Sequence, residues 1–167
     1  MFKHIRTKLD EANLQLGSER GSPPDCVGTG RRFAHVMAVA PNASSSILMG
    51  NTSPSIEPYR ANAYRQDTLS GSSLNKNKWL DKIIKEKVSD AGELQDIWSS
   101  IIANDGSVQH LDILTDYEKE VFKTSMEIDQ RWVIEHAADR QQYIDQAQSL
   151  NLFFRPDVNI KYLHACH

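Results

Sequence analysis

Apolar residues recur at intervals of three and four over most of the second half of the chain. That spacing places them on one face of a helix, so we expect this half to be mainly helical. The turn Asn104-Asp-Gly106 follows two such faces, and Thr115-Asp-Tyr-Glu118 has the form of a capping box before another helix. Longer patterns predict helices over about residues 128–149 and 158–167. The first two faces consist of Trp79, Leu80, Ile83, Ile84 and Val88, and then of Leu94, Ile97, Trp98, Ile101 and Ile102.

The first 30 residues predict a helix followed by a loop. Ile5, Leu9, Ala12 and Leu16 fall on one stripe, which favours a helix over residues 2–16. Residues 17–30 are rich in Gly, Ser and Pro, and that composition is typical of a loop.

Three other runs have the character of strands. Residues 33–40 are almost entirely apolar and end at Pro41, which is typical of a strand buried on both faces of a parallel sheet. Residues 63–69 predict a second, more polar strand, and residues 150–154 predict a third. Ligands of α/β sheets bind beyond the carboxyl ends of the strands, so the segment that begins at Pro41 is the first place to look for a site.

Composition and charge narrow the class of protein. The 167 residues include 19 Lys and Arg against 22 Asp and Glu, a net charge of −3, which argues against a general nucleic-acid surface. Cys26 and Cys166 lie far apart, and we expect a reduced, cytoplasmic setting. No apolar run approaches the roughly 20 residues of a membrane span, so no membrane partner is expected.

The segment Pro41-Asn-Ala-Ser-Ser-Ser-Ile47 has the composition of an anion cradle. Small and hydroxyl residues open a short helix, whose first backbone N–H groups and dipole suit a phosphate. Asn42 or Ser44 would cap the helix, the N–H groups of residues 43–46 would stay free, and the serine hydroxyls would add donors. The alternative is that the same residues only cap a structural helix and bind nothing.

Two further groups have a possible ligand role. Arg140 falls on an apolar stripe. Its guanidinium would either reach a ligand carboxylate or phosphate, or have a structural role in which it pairs with a core carboxylate or extends to the surface. We favour the structural role. His164, Cys166 and His167 form the second group, in which helical spacing places His164 and His167 on one face as two possible metal ligands. A structural zinc site needs four ligands with compact spacing, and Cys26 would have to come from far along the chain. We assign no metal site.

The remaining chemistry-bearing residues indicate packing rather than catalysis. Trp79, Trp98 and Trp132 have the spacing of helical core residues, and we expect them to be buried. No Ser-His-Asp pattern or nucleophile elbow is present, so we assign no catalytic residue.

Several short motifs together resemble a known family. Their order and spacing over about residues 15–167 match the C-terminal portion of the class I ribonucleotide reductase large (α) subunit. The motifs are Glu19-Arg-Gly21, Pro41-Asn-Ala-Ser-Ser-Ser-Ile47, Ser55-Ile-Glu-Pro-Tyr59, Leu69-Ser-Gly71, Ile101-Ile-Ala-Asn-Asp-Gly-Ser107, Ala137-Ala-Asp-Arg140 and Tyr143-Ile-Asp-Gln-Ala-Gln-Ser-Leu-Asn-Leu-Phe-Phe154.

The resemblance implies a fold class and a substrate site. The fold would be α/β: a helix-rich C-terminal part of a ten-stranded α/β barrel, incomplete on its own. The family reduces ribonucleoside diphosphates to deoxyribonucleotides and binds the substrate diphosphate at a Pro-x-x-[Ser/Thr]-[Ser/Thr] loop. That loop corresponds here to Pro41, Asn42, Ala43, Ser44 and Ser45. The motifs around Arg140 and residues 146–151 resemble barrel scaffolding.

The resemblance also implies what this chain does not supply. The family's catalytic cysteines and radical-relay tyrosines have no match here, and neither Cys26, Cys166 nor Tyr162 fits them. This chain would hold no cofactor, whereas the whole enzyme would use a metal-radical centre on the small (β) subunit and ATP or dATP as effectors. The implied partners are the ribonucleoside diphosphate, the missing N-terminal part of the large subunit, the small subunit, and thioredoxin or glutaredoxin as reductant.

We therefore expect a single partial domain over residues 1–167. Residues 1–16 would form a helix, 17–30 a loop, 31–71 the strand and phosphate loop, and 72–167 a mainly helical part. It would form part of a ribonucleoside-diphosphate reductase, contribute the substrate diphosphate loop and be inactive alone. The alternatives are a non-catalytic helical interaction module and a truncated fragment that retains the scaffold.

Overall fold

The structure is a computed structural model that describes residues 1–50, 53–68 and 71–167. Helices dominate these ranges, and one antiparallel hairpin lies near the middle of the chain. In chain order the elements are α1 (Phe2–Arg20), a 3-10 turn (Pro24–Cys26), α2 (Ala43–Leu48), β1 (Ala63–Thr68), β2 (Gly71–Lys76), α3 (Lys78–Lys87), α4 (Ala91–Ala103), α5 (Asp116–Val121), α6 (Gln130–Gln141) and α7 (Ile160–Cys166).

The hydrophobic core lies between α3, α4 and the segment that follows α4. Both predicted helices are present, and each begins at a side-chain cap: Asn77 and Asp90 accept bonds from first-turn N–H groups. The capping box at Thr115 is also confirmed and starts α5. The buried core residues are Ala63, Leu80, Ile84, Trp98, Ile101, Val108, Leu111, Leu114 and Phe122.

The prediction that all three tryptophans are buried is wrong for two of them. Trp98 is buried in the core, whereas Trp79 is 61% exposed and Trp132 is 58% exposed. The buried face of α3 is formed by Leu80 and Ile84. Trp79 precedes Leu80 by one residue, which turns its side chain about 100° away from that face.

The helix α6 is shorter than expected, because the residues after it include Gln148, which forms a β-bridge with Val39. It begins at Gln130 and ends at Gln141, and residues 146–149 are not helical, so the predicted helix over 128–149 is wrong beyond 141. Val133, Ala137 and Ile144 are buried as the stripe predicts, whereas Ala147 is exposed. The last helix, α7, lies within the predicted range 158–167.

The helix α1 is longer than predicted and packs through different residues. It extends past residue 16 to Arg20, so residues 17–20 are helix and not loop. Its buried residues are Asn13 and Gly17, whereas Ile5 and Ala12 are exposed. A Cβ at residue 17 would lie 1.9 Å from the carbonyl oxygen of Gly30, so the absence of a side chain allows the following loop to cross the helix closely.

The predicted buried strand over residues 33–40 is wrong. This segment is extended, but its only described pairing is a parallel bridge between Val39 and Gln148. Phe33 is 51% exposed. A strand becomes buried on both faces only when neighbouring strands and covering helices are present, and the described residues supply one short neighbour. Residues 150–154 likewise form no strand.

The hairpin confirms one predicted strand and adds another. The strand β1 matches the prediction over 63–68. The last predicted strand residue, Leu69, and the next residue, Ser70, lie outside the described residues, and they are the first two residues of the Leu69-Ser-Gly71 motif. The strand β2 was not predicted. It runs to Lys76, so the part predicted to be mainly helical from residue 72 begins in a strand. Its register runs from Ala63 opposite Lys76 to Thr68 opposite Gly71.

Candidate functional site

The segment from Pro41 to Ser45, here called the Pro41 loop, comprises two residues that precede α2 and the first three residues of that helix. Asn42 takes a left-handed conformation, φ 47°, and its carbonyl oxygen accepts the N–H of Ser46 at 3.0 Å. The helix begins at Ala43, so of the two predicted caps Asn42 occupies the capping position and Ser44 lies inside the first turn.

The donors that the sequence predicts are present with one exception. The backbone N–H groups of Ala43, Ser44 and Ser45 precede the first helical bond and have no acceptor among the described residues. The N–H of Ser46 is not free, which corrects that part of the prediction, and its hydroxyl donates to the Ala43 carbonyl at 2.7 Å. Ser44 and Ser45 are exposed, so their hydroxyls are accessible to a ligand.

The chain that enters the Pro41 loop is fastened by the turn after α6. The carboxylate of Asp145 accepts the N–H of Val36 at 3.1 Å and the N–H of Met37 at 3.0 Å. The N–H of Val39 then donates to the Ala147 carbonyl at 3.1 Å, which continues the same row of bonds through the backbone. The Asp145 side chain therefore substitutes for a strand's carbonyl groups at the point where the ladder ends.

The same row of bonds is supported by an ion pair with Arg6 of α1. Arg6 lies 3.3 Å from the Asp145 carboxylate and 2.8 Å from Asp10. Burial alone would raise the pKa of Asp145, but the N–H groups of Met37 and Val36 and the charge of Arg6 outweigh it and hold that pKa below its ordinary value. The carboxyl group is therefore ionised, and a strong acceptor, at neutral pH.

The chain that follows α2 is fastened to residues just beyond the same turn, Ser149 and Asn151. The Glu57 carboxylate accepts the side-chain amide of Asn151 at 2.7 Å and its backbone N–H at 3.2 Å. The Ser55 hydroxyl donates to the Ser149 carbonyl at 3.4 Å. Glu57 is buried whereas Asn151 is exposed, so the contact gives a buried carboxylate its hydrogen-bond partners from the surface side.

An open cleft of about 1150 Å³ lies on the other side of α2. Of the helix, Ala43 and Ser46 form part of its wall, whereas Ser44 and Ser45 do not. Among the residues that the structure describes, its wall carries three arginines and three carboxylates. The charged residues are Glu57, Arg60, Arg65, Asp105, Glu127 and Arg155.

Most of the chain matches a known protein family. The family model described as "Ribonucleotide reductase, barrel domain" matches residues 23–167. The chain belongs to the ribonucleotide reductase family. This confirms the resemblance seen in its motifs and makes the chain a helix-rich part of that barrel domain.

Individual relatives agree with the family match. The chain is 59% identical to the ribonucleoside-diphosphate reductase large subunit of Invertebrate iridescent virus 6, covering 100% of this chain and 18% of that protein. It is 56% identical to the Invertebrate iridescent virus 3 large subunit, covering 26% of it. Among solved structures, the Actinobacillus ureae class Id ribonucleotide reductase alpha subunit is similar, with TM-score 0.86 and 44% identity over 98% of this chain and 29% of that one. The chain therefore spans about a quarter or less of the curated relatives quoted.

Arg140 forms no ion pair with a core carboxylate among the described residues, and its possible contact with a ligand stays a prediction. Its Nε lies 3.2 Å from the side-chain oxygen of Gln148, and its guanidinium lies over the Phe2 ring, 5.7 Å from the centroid. Burial lowers the pKa of Arg140. The expected core carboxylate is replaced by an amide and an aromatic face, so this reductase residue supports the Val39–Gln148 bridge.

The C-terminal group does not assemble into a metal site in the described part of the chain. Cys166 is buried, while His164 and His167 are exposed. Over the described ranges, no group of three or more His, Cys, Asp or Glu side chains is arranged to hold a metal ion. In the same ranges no helix has the length and apolar character needed to cross a bilayer.

Sequence reasoning missed the residues that hold the Pro41 loop in place. Asp145, Glu57 and Asn151 all lie in motifs that carry the family resemblance, yet nothing in their spacing pairs them. Glu57 and Asn151 are 94 residues apart, and Asp145 is more than 100 residues from Val36. An alignment of relatives that showed joint variation at these positions would be the signal that finds them.

Proposed function

We propose that this chain contributes the substrate diphosphate-binding loop to the large subunit of a ribonucleoside-diphosphate reductase. The single observation that carries the proposal is the Pro41 loop: three N–H groups with no acceptor among the described residues, and two exposed hydroxyls, within a matched reductase barrel domain. The named relatives are ribonucleoside-diphosphate reductase large subunits, which supports that activity for a protein containing this segment.

The proposed role of the loop is electrostatic and positional. A diphosphate is a multiply charged anion, and N–H groups at a helix start, supplemented by hydroxyls, form short charge-assisted bonds with it. The chain is fastened both before the Pro41 loop and after α2. Those donors would therefore be held in position before the ligand binds. Fixed donors would hold the ribose at a set distance from the reacting group and would reduce the entropy lost on the way to reaction.

The reaction centre is proposed to lie outside this chain. The described residues provide no metal cluster, so they do not fit the metal-radical centre of the family, and no chemical step is assigned to them. We propose that the radical centre belongs to the small subunit and that ATP or dATP sites and the catalytic cysteines belong to the remainder of the large subunit. Thioredoxin or glutaredoxin as reductant, and a cytoplasmic location, stay predictions.

A segment exchange tests the proposal in a complete enzyme. The matching segment of the Invertebrate iridescent virus 6 large subunit is replaced by this chain, and CDP reduction is measured with the small subunit present. We expect turnover by the chimera and none by this chain alone. Turnover by the isolated chain would contradict the proposal that the reaction centre lies elsewhere.

The loop itself is tested by a double substitution in the chimera. Ser44→Ala with Ser45→Ala removes two hydroxyl donors to a charged ligand, and we expect the KM for CDP to rise about tenfold or more. Ser18→Ala, an exposed serine of α1, is the matched control and should leave KM unchanged. If the double variant also leaves KM unchanged, the Pro41 loop does not hold the diphosphate, and a non-catalytic scaffold becomes the better description.

A further inference from the structure

The two chain segments that flank the Pro41 loop meet on one short stretch of the protein. The upstream arm (residues 36–39) and the downstream arm (residues 55–57) both bond to residues 145–151, here called the clamp segment. The clamp segment follows α6 and contains no helix.

Bonds to the upstream arm come from one end of the clamp segment. Asp145 accepts the N–H groups of Val36 and Met37, and the Val39–Gln148 bridge follows three residues later. The Ser149 N–H donates to the Val39 carbonyl at 2.8 Å. Two residues after Val39 the Pro41 loop begins, so little chain remains in which a displacement of the arm would be absorbed.

Bonds to the downstream arm come from the other end. Asn151 bonds Glu57 through its side chain and its backbone, and Ser149 accepts from Ser55. Ser149 therefore contacts both arms, its N–H on Val39 and its carbonyl on Ser55. An extended clamp segment of fixed length sets the distance between the two arms.

The clamp segment is itself held in place by α6. The Gln148 side-chain amide donates to the Ala137 carbonyl and to the Gln141 side chain, each at 2.8 Å, while its oxygen accepts from Arg140. Because Ala137 is a buried residue of α6, the helix fixes the middle of the clamp segment.

We propose that Asp145 and Asn151 are positioning residues for the substrate diphosphate: together they hold the two arms at the separation that aims the Pro41 loop donors at the ligand. The inference rests on the proposed function of the Pro41 loop. Neither side chain needs to touch the substrate. Each acts by fixing one arm, so the loss of either changes substrate binding more than turnover at saturation.

The test uses the chimeric large subunit with its small subunit. Asp145→Ala and Asn151→Ala are each expected to raise the KM for CDP about five- to tenfold, with kcat within about twofold of the parent. Asp145→Asn keeps a carbonyl oxygen that accepts from the arm, so it should restore most of the affinity. The matched control is Asp157→Ala, an exposed carboxylate near the same segment, which should change neither constant.

A variant that fails to fold does not remove the test. Circular dichroism and thermal unfolding identify such a variant, and Asp145→Glu then replaces it, because one added methylene keeps the charge but displaces the acceptor oxygens from the arm. We expect Asp145→Glu to raise KM and Asp145→Asn to rescue it. A fall in kcat with unchanged KM, or equal effects of Asp145→Ala and Asp157→Ala, would overturn the proposal.

The two proposals fail in different ways. If Ser44→Ala with Ser45→Ala raises KM but the clamp variants do not, the Pro41 loop binds the diphosphate and the clamp inference is wrong. If the serine variant leaves KM unchanged, the proposed function fails whatever the clamp variants do. Raised KM in both sets supports both.

Discussion

The helical part around α3 and α4 and the arm that carries the Pro41 loop are held together by different forces. The first buries apolar side chains, with Leu80, Ile84 and Ile101 fully buried. The second, which covers residues 31–50 and 53–62 and includes α2, is held by side-chain bonds to its backbone, from Asn13 and Asp145. Apolar burial is non-directional, whereas those bonds fix the position of individual backbone atoms.

This difference suits the proposed roles of the two regions. A loop that binds a diphosphate needs its N–H groups exposed, so it cannot be stabilised by burying them. Its position has to come from polar contacts on either side. The helical part has no such constraint and provides the stable base.

The largest expected effect is in the helical core. Ile101→Ala should lower the free energy of unfolding by about 3 kcal/mol, because it removes a fully buried side chain and leaves a cavity. The next residue, Ile102, is 43% exposed, and Ile102→Ala should cost less than about 1 kcal/mol. Chemical denaturation of both variants checks the difference, and similar losses would contradict the assigned core.

The second effect lies where the helical part meets the arm. Gly106 has φ 80°, and a Cβ there would lie 2.3 Å from the Cβ of Ala61. Gly106→Ala should cost about 2–3 kcal/mol from strain and overlap together. Gly28 has nearly the same φ, 82°, with nothing within 4 Å, so Gly28→Ala should cost about 1 kcal/mol. Thermal unfolding compares the two, and equal costs would show that the contact with Ala61 is not close.

The third effect concerns the polar bonds of the arm. Asn13 is buried, donates to the Phe33 carbonyl at 2.9 Å, and accepts the N–H groups of Arg32 and Phe33. Asn13→Ala should cost about 2 kcal/mol because it takes this partner from the N–H and the carbonyl of Phe33, whereas the Arg32 N–H keeps the Asn13 backbone carbonyl at 3.3 Å. Hydrogen exchange at Phe33 should accelerate while Ile84 stays protected. Gln15→Ala, exposed on the same helix, is the control, and matching exchange rates would argue against this anchor.

The same contrast explains what could be predicted from the sequence. The faces of α3 and α4 and the capping box at Thr115 depend on residues within a few positions of each other, so local spacing reveals them. Residues 33–40 are as apolar as a buried strand, but whether they form one depends on neighbours far away in sequence. The Pro41 loop was predicted from its residue types, whereas the clamp contacts connect residues roughly 100 positions apart and leave no local pattern.

The smallest effect is a pH dependence of the arm. The pKa of Asp145 lies below its ordinary value of 3.8, so its bonds add stability that is present above about pH 4 and is lost as the pH falls through the lowered pKa. Exchange at Val36 and Met37, corrected for its intrinsic pH dependence, should accelerate below about pH 4. Asp145→Asn should abolish that added acceleration. An equal pH dependence in both proteins would exclude Asp145 as its source.

Hydrogen exchange read by mass spectrometry on the chimeric large subunit asks whether the Pro41 loop holds a diphosphate. CDP and cytidine, which lacks phosphate, are compared at equal concentration. We expect CDP to slow exchange in the peptide that contains Ala43, Ser44 and Ser45, and cytidine to leave it unchanged. Protection by CDP elsewhere in the subunit with this peptide unchanged would contradict it.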